Sequence, residues 1–152
     1  IKTFTQKVNW KDLDFIIVDM PPGTGDTQLT FSQEIKMDGA IIVSTPQEVA
    51  LLDVKRGIKM FDKLGVKILG LIDNMSFFIG DDGKKYKIFG EGGVKKTAEE
   101  FQKEFLGEIP INLEVGKCGD QGKPIVEASP ENEISKIYLN LASKIKSFYL
   151  SS

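Results

Sequence analysis

Three short apolar runs recur along this chain, and the segments between them are long enough for a helix and a turn. The first is Phe15-Ile16-Ile17-Val18, the second Ile41-Ile42-Val43, and the third Ile68-Leu69-Gly70-Leu71-Ile72. Continuous runs of this length, rich in β-branched residues, read as strands buried on both faces. The strands expected are 13–18, 40–44, 66–73 and, further on, 105–110. Between the second and third lies the clearest helix, 47–64. Leu51, Val54, Ile58 and Phe61 recur there at three- and four-residue steps, with Gly65 placed as its cap. Weaker helical patterns cover 27–36 and 94–101. Ile134, Tyr138, Leu141, Ile145 and Phe148 mark a closing amphipathic helix. Strands alternating with helices require crossovers, so the expected fold class is α/β: a mostly parallel sheet with helices on both faces. Residues 1–12 read as a short helix or extended lead-in, and 77–89 and 112–130 as loops.

Composition narrows the function classes. The chain has 152 residues, one domain's worth, with a net charge of −2 and mixed signs, so nothing marks a nucleic-acid partner. Its apolar runs are strand-length, which gives no membrane span or signal peptide. Histidine is absent and cysteine occurs once, at Cys118, which excludes an internal disulfide, imidazole chemistry and a cysteine cage within one chain. The expected compartment is cytoplasmic.

Two positions stand out for chemistry. The first expected strand ends in Asp19, followed by Pro21-Pro22-Gly23-Thr24-Gly25. Open α/β sheets bind ligands beyond the carboxyl ends of their strands. There Asp19 could hold a hydrated Mg²⁺, and Gly23 has no side chain to keep a backbone N–H from a phosphate oxygen. The same residues also suit a plain strand-to-helix turn with Asp26 as the helix N-cap. The second position is Asn74, at the end of the third strand. Its carboxamide offers a donor and an acceptor together, as the edge of adenine requires, or it simply turns the chain. The segment 90–97, Gly-Glu-Gly-Gly-Val-Lys-Lys-Thr, is not a phosphate loop, because Lys95 stands where that pattern needs glycine and no buried strand leads into it.

Taken in order, DMPPGTGDTQLT, STPQEVALLDVKRGIKMF, LGLIDNMSFF, IFGEGG and FLGEIP resemble the Mrp/Nbp35 (ApbC) family, P-loop ATPases of the MinD/ParA type linked to iron–sulfur cluster assembly. The likeness runs from about residue 10 to about residue 126. It implies a P-loop NTPase fold in which residues 1–152 form the carboxyl-terminal part of a single ATPase domain, a fragment lacking the amino-terminal P-loop unit and inactive on its own. It also implies ATP and Mg²⁺ as cofactors. By resemblance Asp19 is the Walker B carboxylate near Mg²⁺, acting through water, Gly23 senses the γ-phosphate, and Asn74 reads the base. The partners implied are a second copy of the chain and iron–sulfur client or carrier proteins. The function implied is cluster assembly or transfer, with slow ATP hydrolysis as the switch. The alternative is a MinD/ParA-like regulatory ATPase that holds no cluster. One departure bears on that choice. Family members commonly carry C-P-x-C-G after N-M-S-[YF]-F, whereas here Gly80 and Gly83 occupy both cysteine positions with no change in length. Glycine offers no thiolate, which puts the cluster itself in doubt.

Overall fold

In the computed structural model, which describes residues 7–21 and 25–150, three parallel strands form the sheet. They are β1 (Ala40–Ser44), β2 (Ile68–Asn74) and β5 (Phe105–Ile109), in the order β1-β2-β5. The connections between them are helical. Helix α1 (Asp26–Glu34) precedes β1, α2 (Glu48–Lys63) joins β1 to β2, and α3 (Gly93–Glu100) leads into β5. Helix α2 is cut off by a Schellman turn. Gly65 takes φ +70°, the Val66 N–H donates to the Phe61 carbonyl at 2.9 Å, and the Gly65 N–H donates to that of Asp62 at 3.2 Å.

Both faces of the sheet are covered, as the sequence leads one to expect. On one side Leu51, Val54 and Ile58 of α2 and Val94 and Ala98 of α3 pack against Ile68 and Leu71. On the other, Leu141 of the closing helix α6 (Glu133–Leu150) packs with Ile72, Leu106 and Ile109. Strand β2 is sandwiched between the layers, and all its residues but Asn74 are buried.

Several expectations fail. Residues 13–18 form no strand, and Leu13, Phe15, Ile16, Ile17 and Val18 are all exposed, Ile17 at 91%. A strand needs a ladder partner for its N–H and C=O groups, and no described strand pairs with this segment. Its one aromatic contact is the edge-on approach of the Phe15 ring to Tyr149, with centroids 5.9 Å apart. The N-cap of α1 is Gly25, in extended conformation, so Asp26 is the first helical residue and not the cap. Within 77–89 the chain makes a short antiparallel hairpin, β3 (Phe78–Ile79) with β4 (Lys85–Tyr86). Within 112–130 it makes two helices, α4 (Leu113–Asp120) and α5 (Ile125–Ala128). Asn112 caps α4, its side-chain oxygen accepting the Glu114 N–H at 2.8 Å. No helix among the described residues is long and apolar enough to cross a membrane.

Candidate functional site

The carboxyl ends of the three strands lie side by side, with Ser44 opposite Asp73, Asp73 opposite Glu108, and Asn74 opposite Ile109. The loops that leave them are held down locally. After β1, the Ser44 hydroxyl donates to the Thr45 carbonyl at 2.9 Å and the Thr45 hydroxyl donates to Gln47 Oε1 at 3.0 Å. After β2, Met75 adopts φ +53°, a left-handed backbone uncommon for a residue with a side chain. Ser76 then returns to β5, its N–H and hydroxyl both donating to the Ile109 carbonyl, at 3.1 and 3.2 Å. The Ile111 N–H donates to the Phe77 carbonyl at 2.7 Å, so the loops after β2 and β5 are hydrogen-bonded to each other.

Asn74 therefore stands where the sequence places it, at a strand end beside the Ile109-Pro110 turn. It is half-buried, and its carboxamide has no hydrogen-bond partner among the described residues. Both its donor and its acceptor are free to meet a ligand. Asp19 lies in the exposed segment after Val18, and no described hydrogen bond or ion pair joins it to Asn74. Gly23 lies outside the described residues. Of the predicted site residues, the structure places Asn74 at the strand ends and Asp19 in the exposed segment before α1.

Asp73 was not singled out by sequence reasoning, although its position one residue before Asn74 offered the signal. It is only 1% exposed, and its Oδ1 has no hydrogen-bond partner. Its pKa is raised from 3.8 to about 6, chiefly by burial and then by the facing Glu108, with Lys87 pulling the other way. Lys87 itself is ion-paired with Glu91. A buried carboxyl with a raised pKa, beside an unpartnered Asn74 at the carboxyl end of a parallel strand, makes this end of β2 the candidate site.

Two clefts open nearby. One, of about 300 Å³, lies between the hairpin and the start of α4, lined by Phe78, Ile79, Asp81, Pro110, Ile111 and Leu113. It adjoins the loop after β5. The other, of about 420 Å³, is walled by Val115, Pro124, Ile125, Tyr138 and Leu139 and carries no charged side chain. The glycine-rich segment 90–97 is the tightly packed entry into α3, since a Cβ on Gly93 would stand 2.6 Å from the Pro46 carbonyl oxygen and 2.7 Å from Leu51 Cδ1. No parallel strand feeds it.

Known proteins resemble this chain in sequence and in fold. An iron–sulfur cluster carrier protein of Synechocystis is 47% identical over 147 residues, which is 95% of this chain and 42% of that protein. A nucleotide-binding protein in complex with ADP from Archaeoglobus fulgidus superposes with a TM-score of 0.75 at 38% identity, over 88% of this chain and 54% of the other. The cell division ATPase MinD of Pyrococcus furiosus superposes with a TM-score of 0.58 at 22% identity, over 73% of this chain and 43% of the other, a likeness of fold alone. The chain thus spans less than half the length of its Synechocystis relative. The profile of the ParA family, described as NUBPL iron-transfer P-loop NTPase, matches residues 1–146, and the chain belongs to that family.

Proposed function

We propose that residues 1–152 are the carboxyl-terminal part of an ATP-hydrolysing P-loop domain that carries iron–sulfur clusters to client proteins, working as a homodimer in the cytoplasm. The observation that carries this reading is Asn74. Its unpartnered carboxamide stands at the carboxyl end of a central parallel strand, beside the turn that follows β5. Adenine would lie between that side chain and the Pro110 turn, and Asn74 would read its edge. Asp19 would hold Mg²⁺ through water once the segment 13–18 pairs with a neighbouring strand, and Gly23 would let backbone N–H groups approach the γ-phosphate. Magnesium bound there supplies charge neutralisation at the phosphates. Iron–sulfur transfer is the work named for the Synechocystis relative and in the family description. The likeness to MinD concerns fold and lends no weight to a cluster-free regulatory role.

The test uses the full-length protein. Loaded anaerobically with iron and sulfide, it is expected to show visible cluster absorption and to pass the cluster to an apo-acceptor at a rate that changes with ATP. Absence of absorption, or transfer indifferent to ATP, overturns the reading.

A further inference from the structure

The loop that in this family commonly bears two thiolates has been rebuilt here around two glycines. The hairpin β3–β4 turns through Gly80-Asp81-Asp82-Gly83, closed by the Gly80 N–H to the Lys84 carbonyl and the Gly83 N–H to the Gly80 carbonyl, both at 2.9 Å. Gly83 takes φ +74°, the left-handed residue that a three-residue hairpin with a bulge demands. A cysteine there would be strained whatever space it had. Position 80 is closed for a different reason. A Cβ on Gly80 would stand 2.7 Å from Tyr86 Cε2 and 2.9 Å from Asp82 Oδ1. A side chain at position 80 would displace the Tyr86 ring and the Asp82 carboxylate, and one at position 83 would strain the backbone, so glycine suits both sites.

What occupies the space is a polar latch. Asp82 Oδ1 accepts the Lys84 N–H at 3.0 Å and Oδ2 accepts the Tyr86 hydroxyl at 2.9 Å, with Lys84 Nζ 3.4 Å away. These bonds hold the Asp82 carboxyl below the ordinary carboxylate range, chiefly through the Lys84 N–H, and the Asp82 bond holds the Tyr86 hydroxyl above its own. At the base of the hairpin Lys85 Nζ sits 4.4 Å from the centre of the Phe77 ring. The donor set does not fit an iron–sulfur cluster. The chain's single thiol is Cys118, half-buried on α4, and no group of three or more acidic, histidine or cysteine side chains converges among the described residues.

We propose that the hairpin is a metal-independent clasp, closed by Asp82 and Tyr86, and that it ligates no part of the cluster this protein carries. The proposal rests on the cluster-carrying reading above and restricts it: the cluster's thiolates must come from outside residues 78–86.

The experiment is amide hydrogen exchange of the hairpin in the full-length protein, measured before iron and sulfide loading, after loading, and after treatment with a chelator. Iron per chain is counted in parallel. The Gly80 and Gly83 amides are expected to be equally protected in all three states. Asp82→Ala and the milder Tyr86→Phe are expected to speed their exchange several-fold and leave iron per chain unchanged. Protection that appears only on loading, or iron lost with either substitution, overturns the clasp. If the wild-type protein takes up no cluster at all, the carrier reading fails, while protection indifferent to the chelator still upholds the clasp.

Discussion

Residues 15–18 and strand β2 are written in the same apolar alphabet, and the molecule treats them in opposite ways. Phe-Ile-Ile-Val lies open to solvent, with Ile17 at 91% exposure, whereas Leu71 is fully buried and Ile72 nearly so. The difference is in the neighbours. β2 has a parallel strand on each edge and a helical layer on each face. Residues 13–18 have no ladder among the described residues. An apolar run specifies a capacity for burial, and a partner's backbone decides whether it is used.

The largest effect expected from this contrast is on stability. Within the 152-residue chain, Leu71→Ala should lower the unfolding free energy by about 2–5 kcal/mol, because it leaves a cavity between β2 and α2. Ile17→Ala should change it by less than about 0.5 kcal/mol, as exposed positions do. Denaturant titration of both variants reads the difference directly. The exposed run and the outer edge of β1, where Val43 is 56% exposed, also predict that the chain made alone binds a hydrophobic dye and self-associates. In the full-length protein the dye binding and aggregation should disappear, and the cost of Ile17→Ala should rise into the range of a core residue. Light scattering that shows the chain alone as a stable monomer without dye binding would break the comparison.

What was legible in the sequence was what local pattern controls. Helix α2 announces itself by Leu51, Val54, Ile58 and Gly65, and strands β1, β2 and β5 by short apolar runs between turns. Coverage of the sheet on both faces follows from the alternation. Helix α4 was hidden because Gly116 and Gly119 dilute its pattern, and only the Asn112 cap betrays it. The hairpin was hidden because two-residue strands have no period. At the site, Asn74 was found from its place at a strand end. Asp73 was passed over because a charged residue inside a run buried on both faces reads as the run's end. Whether Asp19 joins the site depends on a pairing that lies outside the local sequence.

Asp73 sharpens the comparison on the buried side. Its carboxyl has a pKa of about 6 in the folded protein against an ordinary 3.8. The folded state therefore favours the protonated form. The contribution to stability is full below about pH 4 and is lost as the pH rises through 6. At pH 7 the buried charge costs about 3 kcal/mol, so Asp73→Asn should stabilise the protein there by about that amount. The gain should shrink towards zero near pH 4. Lys87→Met should steepen the wild-type dependence, since Lys87 favours the ionised form against Glu108. Melting curves from pH 4 to 8 check this, and a variant with the wild-type pH profile would remove Asp73 from the account.

Asp19 tests the exposed side. In the full-length protein Asp19→Asn should leave the fold standing and reduce Mg²⁺-dependent ATP hydrolysis at least about tenfold, the loss of about 1.4 kcal/mol of transition-state stabilisation. Hydrolysis unchanged within about twofold would return residues 13–19 to a structural role alone.

The smallest effect concerns Asn74, where the two regions would meet if the reading is right. Its carboxamide is unpartnered among the described residues, so removing it strands no protein group, and the fold should tolerate Asn74→Ala. The cost should fall on the ligand. A carboxamide paired to a base edge is worth about 1 kcal/mol net, so ATP binding to the full-length protein should weaken about fivefold. The preference for ATP over GTP should narrow with it, because the lost donor and acceptor match the edge of adenine and not that of guanine. Asp73 lies one residue away and pairs with Glu108 across β2–β5, so the variant's melting temperature, read in the same samples, separates loss of the base contact from a disturbed strand end. Calorimetry showing an unchanged ATP-to-GTP ratio, with the melting temperature also unchanged, would make Asn74 a strand-end turn residue and move base recognition to the Pro110 loop.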